Sequence, residues 1–231
     1  MISRFAIVTG GTGALGQAVT LKLLAEGMKV AVPWVVPAES EALAGRVAPD
    51  DRSRLLLAKC DVTDASSMAE FVGTVVKQFH GINVLVTAVG GFAGGGILQT
   101  DLEGWNRMMT LNLTSTFIAA RAVVPWMRGA RYGRIVTVAS RAVVPPAAGF
   151  LGYTVAKAGV IALTQALAAE LKVDGITVNS VLPSTMDTPG NRAAMPDEDP
   201  KAWTPVESVA GAIAFLARTE TAHVTGALVT V

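Results

Sequence analysis

The chain has 231 residues, 51% of them apolar and only 16% charged, which is enough apolar material for one well-buried core. A formal net charge of +1 gives no long-range field for drawing in nucleic acid or an acidic membrane. Cys60 is the only cysteine, so no internal disulfide can form and a reducing compartment fits; His80 and His223 lie too far apart in sequence to suggest a zinc site, and no metal is expected.

Met1-Ile2-Ser3-Arg4-Phe5 runs directly into a predicted strand over 4–9 and lacks the apolar stretch of a signal peptide, so a cytoplasmic chain is expected. A glycine-rich turn follows, Thr9-Gly10-Gly11-Thr12-Gly13-Ala14-Leu15-Gly16, and opens a helix predicted over 14–26. Its glycines let the backbone turn sharply and approach a pyrophosphate, which then sits at a helix N-terminus; the competing reading is a plain tight turn. Further strands are predicted over 29–36, 54–60, 83–89, 133–139, 176–182 and 227–231, and further helices over 64–79, 102–126, 152–171 and 205–217. Asp61-Val62-Thr63-Asp64 reads as a strand exit followed by a helix cap.

The alternation of strand and helix predicts an α/β fold over residues 1–231, a single Rossmann-type domain. About seven strands form its doubly wound parallel sheet, with helices on both faces. No segment reaches the roughly 18 uninterrupted apolar residues that span a bilayer, so no membrane is expected. The 152–171 helix is apolar on nearly every face, which predicts burial all round: one side against the sheet, the other against a twin subunit. A mean hydropathy of +0.47 points the same way, to a homodimer or homotetramer. Residues 183–205 break the rhythm, with five of the eleven prolines, an Asp197-Glu198-Asp199 run and Trp203. Directly after a strand, this stretch is either a proline-stiffened connection or a substrate lid.

The chemistry concentrates in the 152–171 helix. Tyr153-Thr154-Val155-Ala156-Lys157 places a tyrosine and a lysine four apart on one helical face. Lys157 interrupts an apolar helix, and a buried ammonium without a purpose is costly. Ser140 stands thirteen residues before Tyr153, at the end of the strand-like run over 134–139.

Thr9-Gly10-x-x-x-Ala14-x-Gly16 resembles the cofactor turn of the short-chain dehydrogenase/reductase family, and the resemblance extends over essentially the whole chain. It implies a dinucleotide on Gly10, Thr12, Gly13, Ala14, Leu15 and Gly16, with Asp61 and Val62 at the adenine. Ala88 and Gly90 follow the fourth strand, and Pro183, Met186 and Thr188 lie in the segment that holds the nicotinamide carboxamide. Asn112, Ser140, Tyr153 and Lys157 match the family's catalytic residues. On that resemblance Tyr153 is the acid–base group, and Lys157 lowers its pKa and binds the nicotinamide ribose. Ser140 holds the substrate oxygen, and Asn112 anchors a water chain leading to the lysine. The ribose 2′ position is usually read at the end of the second strand, here Trp34, which stacks near the adenine or fills a gap. Neither an acid nor an arginine flanks Trp34, so NAD and NADP both stay open.

Three departures stand out. Thr87-Ala88-Val89-Gly90-Gly91 replaces the usual Asn-Asn-Ala-Gly run, Ser184 replaces the glycine after Pro183, and Val231 ends the sequence without the family's glycine-containing tail. Residues 182–192, Met195-Pro196, Trp203-Thr204-Pro205 and 89–95 are also similar to quinonoid dihydropteridine reductases, although Ser140 and Asn112 are not features of that subgroup. The leading expectation is an NAD(P)-dependent oxidoreductase acting on a small carbonyl/alcohol substrate. A dihydropteridine reductase-like enzyme and a non-catalytic cofactor-binding regulator are the alternatives. Phe92, Met186, Met195 and Trp203 would suit a flat or apolar substrate.

Overall fold

The computed structural model describes residues 4–231, so the reading of Met1-Ile2-Ser3 lies outside the described residues. In chain order the first half comprises β1 (Phe5–Thr9), α1 (Ala14–Ala25), β2 (Lys29–Trp34), α2 (Pro37–Arg46), β3 (Leu55–Lys59), α3 (Ala65–Phe79) and β4 (Val84–Thr87). The second comprises α4 (Leu102–Met109), α5 (Ser115–Ala130), β5 (Gly133–Val138), α6 (Leu151–Leu171), β6 (Ile176–Leu182), β7 (Met186–Asp187), α7 (Pro189–Ala194), β8 (Thr204–Pro205), α8 (Val206–Leu216) and β9 (Leu228–Thr230).

The main sheet has seven strands in the order β3-β2-β1-β4-β5-β6-β9, all parallel. Its strands are continuous apolar runs because helices cover both faces. Successive side chains alternate between two cores. Ala6, Val8, Val84, Val86 and Val136 pack against α1, α2 and α8. Ile7, Leu85, Ile135 and Val178 pack against α3, α5 and α6. The strand order reverses between β1 and β4, and the crevice beyond their carboxyl ends is where such a sheet binds ligands.

Outside residues 183–205, two helical stretches differ from the sequence expectation. The helix α2 was not expected: only Ser40 and Leu43 of it are buried, so it carries no apolar stripe, and Pro37 at its first position is its main signal. The single helix expected over 102–126 is two, joined by a wider π-type turn over Thr110–Thr114 that carries Asn112. Such turns often lie at functional sites.

The helix α6 meets the sheet with one side, and in the single chain its other side, the one expected to meet a twin subunit, is open. Gly152, Ala156, Lys157, Val160, Thr164, Ala168 and Leu171 form its covered stripe. Val155, Ala158, Ala162, Ala166 and Ala169 are exposed on its other side. A helix with this much alanine is apolar by composition, yet only its i, i+4 stripe meets the sheet. By length and composition the stretch Leu151–Asp174 could cross a membrane, but Ala168 and Leu171 pack into the sheet's core as in a core helix.

Candidate active site

The glycine turn is a close-packed cradle. Gly10 has φ +72°, and a Cβ there would lie 2.7 Å from the backbone of Ala88 and Val89 at the end of β4. At Gly16 a Cβ would lie 1.9 Å from the Gly10 carbonyl oxygen. Only glycine fits either place, which lets α1 start hard against the tip of β1. Gly13 precedes α1 and brings no capping side chain, so the first N–H groups of the helix are left for an anion. Leu15 turns its side chain into the core and can offer only its backbone, whereas Ala14 is exposed at the turn. The Thr12 hydroxyl donates to Glu39 Oε2 at 2.8 Å. These features fit the pyrophosphate of a dinucleotide.

Beyond β4 the chain passes through Ala88 and Gly90. A Cβ on Gly90 would meet Asn112 Oδ1 at 2.7 Å and Lys157 Nζ at 3.3 Å, so a larger residue there would push these two side chains aside. Asn112 is fully buried; its amide donates to the carbonyls of Gly91 (3.0 Å) and Met108 (3.1 Å), and its Oδ1 accepts from the Gly91 N–H at 3.3 Å. The asparagine thus clamps the loop after β4 to α4. The Thr87 hydroxyl, where the family has a polar link, is buried with no hydrogen-bond partner among the described residues.

Ser140, Tyr153 and Lys157 come together at the carboxyl end of β5. Lys157 is buried at 6% exposure and donates from Nζ to the Val138 carbonyl at 2.8 Å. Burial lowers its pKa from the usual 10.5 to about 8. Burial also raises the Tyr153 phenol above its ordinary value, while the Ser140 hydroxyl beside it pulls the other way. The Lys157 ammonium is bonded to a backbone carbonyl, and burial is the largest cause of the shift at both groups. Ser140 Oγ also accepts from the Ala142 N–H at 3.2 Å, which fixes the turn that presents it. Phe92 meets the Tyr153 ring edge-on at 5.1 Å between centroids, and Phe150 does so at 6.3 Å. Phe150 was missed from the sequence; its signal is its place three residues before Tyr153.

The remaining predicted positions divide. Pro183 follows β6 at the same sheet edge, where its carbonyl accepts from the Arg141 N–H at 2.9 Å. Met186 is half-buried against the core, and the Thr188 hydroxyl caps α7 by accepting from the Asn191 N–H at 3.1 Å. Residues 183–205 are more ordered than a bare loop: β7 and β8 pair in parallel, and Arg192 grips Asp187 with two bonds of 2.6 and 2.8 Å. Trp34 ends β2 in register with Lys59. Asp61 uses its carboxylate to accept from the Thr63 N–H and hydroxyl, and Val62 packs into the core. Among the described residues no cluster of His, Cys, Asp and Glu suits a metal ion.

Comparison with known proteins agrees with this geometry. The short chain dehydrogenase family model matches residues 4–199. The chain is 34% identical to a 3-alpha-(or 20-beta)-hydroxysteroid dehydrogenase of Mycobacterium tuberculosis, over 98% of this chain and 87% of the relative. It is 31% identical to the 2,5-dichloro-2,5-cyclohexadiene-1,4-diol dehydrogenase LinX of Sphingobium indicum, over 98% and 93%. Identity to the 3-oxoacyl-[acyl-carrier-protein] reductase FabG of Escherichia coli is 30%, over 96% and 93%. Among solved structures, levodione reductase superposes with a TM-score of 0.92 at 25% identity, covering 99% of this chain and 95% of that one.

Proposed function

The chain belongs to the short-chain dehydrogenase family and is an NAD(P)-dependent oxidoreductase; on that premise we propose that it reduces a carbonyl to an alcohol, with Tyr153 as the acid–base group. The observation that carries this reading is the meeting of Ser140, Tyr153 and a buried Lys157 at the same sheet edge as the glycine cradle. Bound there, the dinucleotide supplies the hydride.

The chain's own residues handle the oxygen and its proton. Because burial raises its pKa, the Tyr153 phenol is protonated near neutrality and is poised to donate to the carbonyl oxygen as that oxygen gains charge. Ser140 holds the same oxygen through its hydroxyl. Lys157, still cationic below about pH 8, steadies the phenolate left behind and would hold the nicotinamide ribose. Asn112 fixes the loop of Gly90 and Gly91 against Lys157; by the family resemblance it would also anchor the water chain that returns the proton. Gly10, Thr12, Gly13, Ala14, Leu15 and Gly16 would hold the pyrophosphate, Asp61 and Val62 would border the adenine, and Ala88, Pro183, Met186 and Thr188 would line the nicotinamide end.

Phe92 and Phe150 give the phenol an aromatic flank, which favours an apolar substrate carrying a ring. The cyclic substrates in the names of the hydroxysteroid and cyclohexadienediol dehydrogenases are consistent with this. Residues 183–205 act as the lid over that substrate, with the short β7–β8 pair bringing the two ends of the stretch together. The exposed apolar side of α6, with Phe117 and Trp126 of α5 also exposed, is where a second copy docks.

The test is Tyr153→Phe assayed with cyclic ketones and both nicotinamide cofactors. Turnover should fall by about 10²–10⁴ with dinucleotide binding retained; unchanged turnover would remove Tyr153 from the chemistry. The sequence of 182–205 favours a second reading, a dihydropteridine-type reductase, and a quinonoid dihydropterin in the same panel separates the two. Dinucleotide binding without any turnover would instead indicate a cofactor-binding regulator.

A further inference from the structure

The structure supplies an acid where β2 has none. Glu39 stands in the first turn of α2, five residues past Trp34, and its carboxylate accepts from the Thr12 hydroxyl at 2.8 Å. Thr12 lies inside the glycine turn, so the carboxylate of α2 reaches the rim of the pyrophosphate cradle. The contact is braced from behind: Gln17 Nε2 donates to the Thr12 carbonyl at 2.7 Å, and Arg46 donates to Gln17 Oε1 at 2.6 Å. Arg46 is thereby bonded to Gln17 rather than to the carboxylate, and Glu39 forms no salt bridge among the described residues.

In a fold of this kind the adenosine ribose lies beyond the end of the second strand. An acid some twenty residues past the glycines accepts from its 2′-hydroxyl, whereas a nearby arginine accommodates a 2′-phosphate. Trp34, at the strand end, can do neither. Glu39 lies twenty-three residues past Gly16 and is tied to the same turn by its bond to Thr12. A carboxylate at hydrogen-bond distance from a 2′-hydroxyl would repel a phosphate in the same place. Lys59, in register with Trp34 on β3, is the cation placed to oppose this effect.

We propose that Glu39 sets the cofactor preference, accepting from the adenosine-ribose 2′-hydroxyl and excluding a 2′-phosphate, so that the enzyme binds NAD in preference to NADP. This rests on the dinucleotide reading above. The experiment is a titration of the purified protein with NAD⁺ and NADP⁺, followed by calorimetry, on wild type, Glu39→Gln and Lys59→Ala. The amide of Glu39→Gln keeps an acceptor for Thr12 and the ribose while removing the charge, and thermal unfolding checks that each variant folds.

Wild type should bind NAD⁺ at least about tenfold more tightly than NADP⁺, a difference of about 1.4 kcal/mol. In Glu39→Gln that ratio should shrink to threefold or less, mainly through tighter NADP⁺ binding, and Lys59→Ala should leave it unchanged. Equal or tighter NADP⁺ binding by wild type overturns the proposal, as does an unchanged ratio in Glu39→Gln. A preference that moves with Lys59→Ala instead assigns the choice to β3. If neither dinucleotide binds, the underlying reading falls with it, an outcome distinct from binding without discrimination.

Discussion

Replacing Lys157 with methionine should make this protein more stable and inactive. Methionine keeps most of the side-chain volume and removes the charge. Lowering the lysine pKa from 10.5 to about 8 means that the fold disfavours the ammonium by roughly 3 kcal/mol, at about 1.36 kcal/mol per tenfold change. Methionine relieves this penalty but deprives the Val138 carbonyl of its 2.8 Å donor, and a buried acceptor left alone costs about 1–3 kcal/mol. The net expectation is a gain of up to about 2 kcal/mol at pH 7.

The pH dependence gives a second readout of the same quantity. Between about pH 8 and 10.5 the folded lysine has lost its proton while the unfolded one still holds it, so wild-type stability rises with pH across that window. Below about pH 8 the penalty is fully present. In Lys157→Met this contribution to the slope should vanish. Chemical denaturation followed by circular dichroism at pH 7 and pH 10 measures both effects. A variant less stable than wild type at pH 7, with the wild-type slope retained, would refute the reasoning.

Other expectations follow from individual contacts. Reductase activity should hold steady below about pH 8 and decline above it as the Lys157 ammonium is lost, and initial rates across a buffer series measure this. Gly16→Ala forces a Cβ to within 1.9 Å of the Gly10 carbonyl, backbone against backbone, so it should lower stability by about 1–3 kcal/mol and abolish dinucleotide binding in calorimetry. Asn112→Ala leaves the Gly91 and Met108 carbonyls without their donor and should destabilise the fold by about 1–3 kcal/mol in urea titrations. Phe92→Ala should raise KM for ring-bearing ketones more than for short aliphatic ones, without lowering the melting temperature, because the ring is 65% exposed.

Much of the site was legible in the sequence because local rules dictate it. The glycines of residues 10–16 follow a strand and open a helix, and only that order of elements needs residues without a Cβ. Tyr153 and Lys157 share a helical face by spacing alone. Strand order was not legible, since a parallel sheet pairs strands far apart in sequence. Asn112 illustrates the difference: its role as a clamp depends on Gly91, twenty-one residues away, and on a π-type turn that no periodicity announces.

The sequence by itself determined the alternation of strand and helix, the phosphate turn, and which side chains can move a proton. Backbone conformation and helical spacing act over a few residues, so these features need no knowledge of the rest of the chain. Tertiary structure alone decided the electrostatics. It buried Lys157 and turned its ammonium to Val138, raised the Tyr153 phenol, left one side of α6 exposed, and brought Glu39 of α2 to Thr12. Desolvation and hydrogen bonding depend on what the folded chain packs around a group, and that neighbourhood is assembled from segments distant in sequence.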